Sequence, residues 1–255
     1  MNAFLKKHYK KAITLLGFLL LWQLVVTVFQ MKVFILPSPL TVFAHLFAPE
    51  IATKYHWLNH IRTTLGEMVV SFSVTALLGV GVAVAITWSR FLRGIIMPII
   101  ALFNSLPKIA LAPLFLLWFG FGMLPNIMIA VLIGFFPVVI NTAAGLNAVE
   151  EDLLDLVRYL HASTFQVFLK IRLPNSLPYI FSGFKISATL CVVGAIVGEF
   201  IASTQGLGYL IKSSQGTMDT PPMFASLILI SALGLSFFGM ISLIERWVMP
   251  WQGTK

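Results

Sequence analysis

Residues 150–178, EEDLLDLVRYLHASTFQVFLKIRLPNSLP, form a polar island between long apolar runs. The island carries four acids (Glu150, Glu151, Asp152, Asp155) and the bases Arg158, Lys170 and Arg172. Isolated charges are expensive inside hydrocarbon, so a chain that crosses a membrane on either side of this segment must keep it outside. Its apolar positions still recur at helical spacing: Leu153, Leu156, Val157 and Leu160, then Phe165, Phe168, Leu169 and Leu173. This predicts two short amphipathic helices, separated by His161-Ala162-Ser163 and closed by the Leu173-Pro174 step. One face docks on protein and the other is left to solvent or a partner.

Composition makes the membrane setting firm. The 255 residues are 58% hydrophobic and only 10% charged, with a mean hydropathy of +0.94. A soluble domain of this size cannot hide so much apolar surface, and the expectation is an all-α membrane protein. The net charge of +8 does not point to nucleic acid. The bases sit beside apolar segments and form no recognition helix, so they read as topology signals. Cys191 stands alone in an apolar run, which excludes an intrachain disulfide and a cysteine metal cluster and leaves a small buried side chain. Lys6, Lys7, Lys10 and Lys11 precede an apolar run at 12–29. That run is longer than a signal-peptide core and has no small-x-small site after it, so it reads as a retained first membrane helix.

Five further spans are predicted at about 65–88, 94–118, 125–141, 179–201 and 223–244. Pro37 and Pro39 place a turn before a short interfacial helix at 41–47. Residues 48–62, with Glu50, Lys54, His56, His60 and Arg62, read as a solvated connection, and Tyr55 and Trp57 suit the headgroup layer. The third segment contains Pro98, Pro107 and Pro113. Such breaks survive in a membrane only where protein or water takes up the freed backbone groups, so this segment faces a pore or the bundle interior. Gly194 and Gly198 offer a flat face for close helix packing, and residues 202–222 read as a polar connection. Six spans put both termini on one side. With that side cytoplasmic, the inner segments hold Arg90, Arg93, Arg158, Lys170, Arg172, Lys185, Arg246 and Lys255 besides the amino-terminal lysines. These outnumber Lys32, Lys54, Arg62 and Lys212 outside. The expected organisation is a cytoplasmic segment 1–11, a six-helix domain 12–249 containing the cytoplasmic island, and a cytoplasmic tail 250–255.

The island resembles the EAA loop of the permease subunits of ABC importers, whose core is Glu-Ala-Ala, three residues, Gly, nine residues, Ile, one residue and Leu-Pro. Asp155 stands at the glutamate position, Leu156-Val157 at the alanines and His161 at the glycine, followed by the common extension Ala162-Ser163. The second half keeps the spacing, through Ile171 to Leu173-Pro174, while the first half departs from the pattern. Other stretches are similar to the branch handling nitrate, sulfonates, taurine, bicarbonate and thiamine or flavin precursors. They are Leu36-Pro37-Ser38-Pro39, the run Pro107 to Leu114 with Leu117 to Gly120, and Gly194 to Phe200 followed by Gly206 to Leu210.

The resemblance implies a type I ABC importer permease with six transmembrane helices in the cell inner membrane. It further implies a second permease copy or a related second permease, two cytoplasmic ATPase subunits and an extracytoplasmic solute-binding protein. No cofactor is expected on this chain; ATP and Mg would be used by the ATPase. The loop's first helix would be the coupling helix, with Asp155, Arg158 and His161 as polar contacts and Leu156, Leu160 and Phe165 packing. Ala162, Ser163, Ile171, Leu173 and Pro174 complete the motif. If the glycine position needs a left-handed backbone, His161 bears it at a cost on the order of 1 kcal/mol; the other reading is a slightly altered turn.

Four residues are candidates for the translocation path. Lys108 lies between prolines in the third segment, and two readings remain open: a cation that snorkels or pairs structurally, and a path-side cation that attracts an anion. Glu199 could face a vestibule, pair with Lys212 or meet the binding protein. Asn104 and Ser105 could line the route or cap a broken helix. His56 and His60 lack the carboxylate or cysteine that would complete a metal set. There is no Walker A loop, HExxH or GxSxG. The competing function is a secondary transporter or channel without an ATPase, which would concentrate charges mid-membrane or in paired repeats. An intramembrane enzyme would need convergent Ser, His or Asp residues that the spans lack. The solute expected is a small anion (sulfonate, nitrate or bicarbonate) or a vitamin precursor.

Overall fold

The computed structural model describes residues 2–48 and 54–251. Glu50 and residues 252–255 of the expected tail lie outside them, and of Lys6, Lys7, Lys10 and Lys11 only the helical backbone is described. The described residues are helical throughout, without a strand. In order they form Asn2–Val28 (α1), Pro39–Phe47 (α2), Trp57–Trp88 (α3), Arg90–Ser105 (α4), a 3-10 turn Lys108–Leu111, Ala112–Phe119 (α5) and Met123–Asn147 (α6). Then come Glu151–Tyr159 (α7), Thr164–Val167 (α8), a π turn Phe168–Arg172, Leu173–Ala202 (α9), Leu207–Gly216 (α10) and Thr220–Val248 (α11).

Four helical stretches are long and apolar enough to cross a membrane: α3, α6, Thr164–Ala202 and α11. The pair of helices on either side of Leu106 is together long and apolar enough for a fifth such stretch among the described residues, but it bends by 87° at its break, the geometry of a broken span or a re-entrant loop. The first expected span corresponds to a shorter apolar stretch, Ile13–Val28, within α1. The bend follows from the prolines. Pro98 sits inside α4, Pro107 occupies the break itself, and Pro113 falls in the first turn of α5, where a missing N–H costs nothing.

The core is a sandwich of α6 between α9 and α3. Its tightest part is where the glycines of α9 cross α6. A Cβ on Gly194 would lie 2.4 Å from Ala130 Cα, and one on Gly198 would lie 2.6 Å from Asn126 Cα. The expected close-packing face is therefore the α6–α9 seam, with Cys191 buried beside it. α11 closes one side through Phe237 and Ile241, which pack with Met68 of α3 and Phe181 and Val192 of α9. A half-buried ion pair, Lys185–Glu245, joins α9 to α11. The predicted interfacial helix is α2, capped by Ser38, whose Oγ accepts from Thr41 N at 3.2 Å, with Pro39 in its first turn.

Three boundaries differ from the sequence reading. The stretch Trp57 to Arg62 is the first part of α3 rather than a solvated connection, because Trp57 Nε1 donates to His45 O of α2 and His60 Nδ1 accepts from Gly206 N. The polar connection 202–222 contains a helix, α10. The second helix of the island does not close at Leu173-Pro174 but runs on to Ala202. There the π turn lets Leu173 N donate to Phe168 O, a wider turn in which the ring of Pro174 is accommodated without ending the helix.

Candidate functional site

The island is built as a closed, self-capped corner. Glu151 and Asp152 lie in the first turn of α7 and Arg158 in its last, each complementing the helix dipole. The helix ends in a Schellman motif: His161 N donates to Arg158 O at 2.9 Å and Ala162 N to Val157 O at 3.0 Å. His161 stands at the position after the cap with φ 56°, the left-handed conformation in which glycine is cheapest. Two residues later Ser163 starts the next helix with a capping box. Gln166 N donates to Ser163 Oγ at 3.3 Å, and Ser163 N donates to Gln166 Oε1 at 2.9 Å. The corner is tied to the Trp88 end of α3 by Phe168, packed edge-on to that indole with ring centres 5.5 Å apart.

Within the corner, Leu154 and Val157 turn inward while Leu156, Tyr159, Leu160 and Phe165 are exposed. Tyr159 is 85% exposed and Leu160 69%, an apolar face that nothing in this chain covers. Beside it Arg158 Nη1 donates to Asp155 Oδ1 at 2.6 Å on an exposed surface, which contributes at most about 1 kcal/mol to stability. Ile171 and Leu173 are half-buried and Pro174 is exposed. The motif residues thus divide into a docking face, a turn and a root.

Asn104, Ser105 and Lys108 come together at the break between α4 and α5. Lys108 Nζ donates to the Asn104 carbonyl at 3.1 Å and to Asn104 Oδ1 at 3.0 Å, and lies 4.8 Å from the ring centre of Phe136 on α6. The ammonium thereby complements the carboxyl end of α4. Ser105 Oγ donates to Ala101 O at 2.9 Å. Around them Leu102, Phe103, Ile109, Leu117 and Trp118 are exposed.

Glu199 sits elsewhere. It is fully buried at the far end of α9 from the island, and it forms no ion pair with Lys212. Its Oε1 accepts from Thr64 Oγ1 at 2.6 Å and its Oε2 from Gly208 N at 2.5 Å. Leu207 N donates to Thr64 Oγ1 at 2.9 Å and Gly206 N to His60 Nδ1 at 2.9 Å. The N–H groups of Gly206, Leu207 and Gly208 at the start of α10, which have no partners inside a helix, are therefore met by side chains of α3 and α9. Gly206, at φ 111°, is obligatory here: a Cβ would fall 2.2 Å from Glu199 Cδ. Glu67 of α3 is also fully buried and accepts from Asn126 Nδ2 at 2.8 Å. No local signal in the sequence joins Glu67 to Asn126, 59 residues further on. Among the described residues no group of three metal-ligating side chains exists.

Comparison with known proteins gives these features their setting. Residues 76–250 match the family described as "binding-protein-dependent transport system inner membrane component". The chain belongs to that ABC importer permease family. It is 33% identical over 246 residues to a probable ABC transporter permease of Haemophilus influenzae, covering 96% of this chain and 99% of that one. It is 31% identical over 242 residues to the riboflavin transport system permease RibX of Chloroflexus aurantiacus, covering 95% and 90%. It is 28% identical over 251 residues to the formylaminopyrimidine transport permease ThiX of Halalkalibacterium halodurans, covering 97% and 99%. In fold it is similar to a chain of the MetNI methionine ABC transporter in an inward-facing conformation. The TM-score is 0.66 at 20% identity, over 75% of this chain and 95% of that one.

The permease is thus an inner-membrane transport subunit and not an enzyme, with the ATPase on a separate subunit and a solute-binding protein as further partner. Its architecture is the type I permease fold. A competing reading as a channel or secondary transporter without an ATPase does not fit that membership.

Proposed function

We propose that this permease works as a homodimer with both termini cytoplasmic, and that the exposed face made by Leu156, Tyr159 and Leu160 at the end of α7 with Phe165 of α8 seats in the ATPase subunit. The observation that carries this is an uncovered apolar face on a corner locked by a Schellman motif and a capping box. Such a corner transmits a push instead of absorbing it, and the push passes directly into a membrane helix because Thr164–Ala202 is continuous. The basic-residue asymmetry supports the topology. The homodimer is supported by the break at Leu106–Pro107, whose surroundings are exposed in a single chain: a broken span in hydrocarbon needs protein or water against it. ATP and Mg are used by the ATPase, and this chain binds no cofactor.

The solute in this proposal is a small anion or a vitamin precursor, passing Asn104, Ser105 and Lys108 at the break. Relatives carry riboflavin, formylaminopyrimidine, aliphatic sulfonates and taurine in their names, and the Lys108 cation favours an anionic group. Purification of the tagged chain from native membranes tests the assembly. The ATPase and a second permease copy should co-purify, and the ATPase should be lost when Asp155, Arg158 and His161 are replaced together. Intact permease recovered without an ATPase would overturn the reading. The co-purified binding protein then reports the solute class, by ligand titration with a sulfonate, riboflavin and a formylaminopyrimidine.

A further inference from the structure

We infer that the cleft between the polar corner and the adjoining ends of α3 and α6 is a binding site for an anionic phospholipid. Two cavities meet there. The first, of about 320 Å³, lies between α7, the π turn and the end of α3; its charged lining residues among those described are Arg158 and Arg172, with no acid. The second, of about 230 Å³, lies between α3, α4 and α6, and Ile86, Met97 and Ile140 make it apolar, with Arg93 also on its wall. Thr87 lines both, so a cationic space adjoins an apolar one. Pockets that take small ligands run from roughly 300 to 1,000 Å³, and the first cavity alone reaches that range.

The charges in the cleft lack counter-ions. Arg172 is half-buried, and neither it nor Arg93 makes an ion pair among the described residues. Arg158 gives Nη1 to Asp155, which leaves its other N–H groups free to donate. Asp155 and Glu151 line a separate cavity that shares Leu154, Arg158 and Arg172, and neither reaches the wall of the first. Two guanidinium groups on one wall call for an anion between them, and their planar forks match phosphate oxygens.

Depth and shape select the source of that phosphate. Trp88, on the wall of the cationic cavity, is the last residue of a membrane-crossing helix, the place where tryptophan marks the headgroup layer. Ile86 and Ile140 lie further along α3 and α6 toward the membrane interior, so the apolar cavity sits on the hydrocarbon side. A phosphate between Arg158 and Arg172 with an acyl chain against Ile86 and Ile140 fills both spaces, and basic pockets at the ends of membrane helices take acidic headgroups in this way. Free phosphate would leave the apolar cavity empty. An acidic side chain of the ATPase fits less well, because the cavity is walled by Leu154, which turns inward, and not by Leu156, Tyr159 and Leu160 of the exposed face. The lipid would brace the corner against α3 and α6.

The test uses the permease purified in detergent with its partner subunits, stripped of lipid and followed by native mass spectrometry. It is titrated with phosphatidylglycerol and with zwitterionic phosphatidylethanolamine, and inorganic phosphate is then added as a competitor. Phosphatidylglycerol should bind about tenfold more tightly, the worth of one hydrogen bond to a charged group. Arg172→Gln should remove most of that preference, while Arg246→Gln, at a base that lines none of these cavities, should keep it. Arg172→Lys retains the charge without the fork, so its preference should fall between the two, and it serves if Arg172→Gln does not assemble. Ala144→Phe, which fills the apolar cavity from an exposed position, should weaken phosphatidylglycerol binding. Equal binding of the two lipids, or a preference untouched by both changes at Arg172, would overturn the inference. Displacement of phosphatidylglycerol by an equal concentration of inorganic phosphate would overturn it too, in favour of a free-anion site.

Discussion

Replacing Gly194 with alanine tests the seam on which the bundle is built. The new Cβ would lie 2.4 Å from Ala130 Cα and 3.1 Å from Ala130 N, where ordinary contact begins at 3.4 Å. The obstacle is backbone, so no side chain can swing aside, and α6 and α9 must part by about 1 Å at this point. Overpacking of this kind costs about 1–3 kcal/mol. Alanine gains about 1 kcal/mol over glycine in helix propensity, which offsets only part. A clash with backbone sits at the upper end of the overpacking range, about 2–3 kcal/mol, so a net loss of about 1–2 kcal/mol lowers the melting temperature by about 2–8 °C at this chain length. The same change at Gly81, where a Cβ meets nothing within 4 Å, keeps the propensity gain without the clash. Thermal unfolding of the two variants in detergent should therefore move in opposite directions. Gly194→Ala melting at or above the wild type would refute the packing argument.

His161→Gly relieves a left-handed residue and should stabilise the loop by about 1 kcal/mol, whereas His161→Val should destabilise it; hydrogen exchange of residues 158–166 reads the difference. Lys108→Met should cut uptake of an anionic solute in proteoliposomes several-fold while leaving the complex assembled, and unchanged uptake would remove Lys108 from the path. Tyr55 OH donates to Asp219 Oδ2 at 2.6 Å. Burial first, then this bond and the charge of Asp219, push the phenol from 10.0 up to about 12. Because the folded-state value is raised, the contact's contribution is complete below pH 10.0 and is lost as pH rises toward about 12. Tyrosinate absorbance of the wild type minus Tyr55→Phe should show this late titration.

Much of this architecture was legible because the signals are local. Apolar run lengths located the spans, the prolines located the break, and Gly194 with Gly198 marked the seam. The spacing from His161 to Leu173-Pro174 marked the loop, and the left-handed backbone at His161 is what a glycine position filled by histidine implies. What the sequence hid depends on partners distant in the chain. α10 starts with Gly206 and lacks any local cap; its caps are His60, Thr64 and Glu199, brought in from α3 and α9. The bond from Gly206 N to His60 likewise makes Trp57 to Arg62 part of α3 rather than a solvated link. Glu67 is likewise held by a partner on another helix, Asn126, 59 residues away in sequence. The helix through Pro174 was hidden for another reason, since a π turn leaves no composition signature.

The central claim is that one face of α7 meets the ATPase. In a Cys191→Ala background, which removes the chain's single cysteine, cysteines placed one at a time at Leu156, Leu160, Leu154 and Val157 can be challenged with a short bifunctional crosslinker in native membranes. The account predicts adducts to the ATPase from positions 156 and 160 and none from the inward-facing 154 and 157. Crosslinking from the inward pair alone, or from no position, would contradict it.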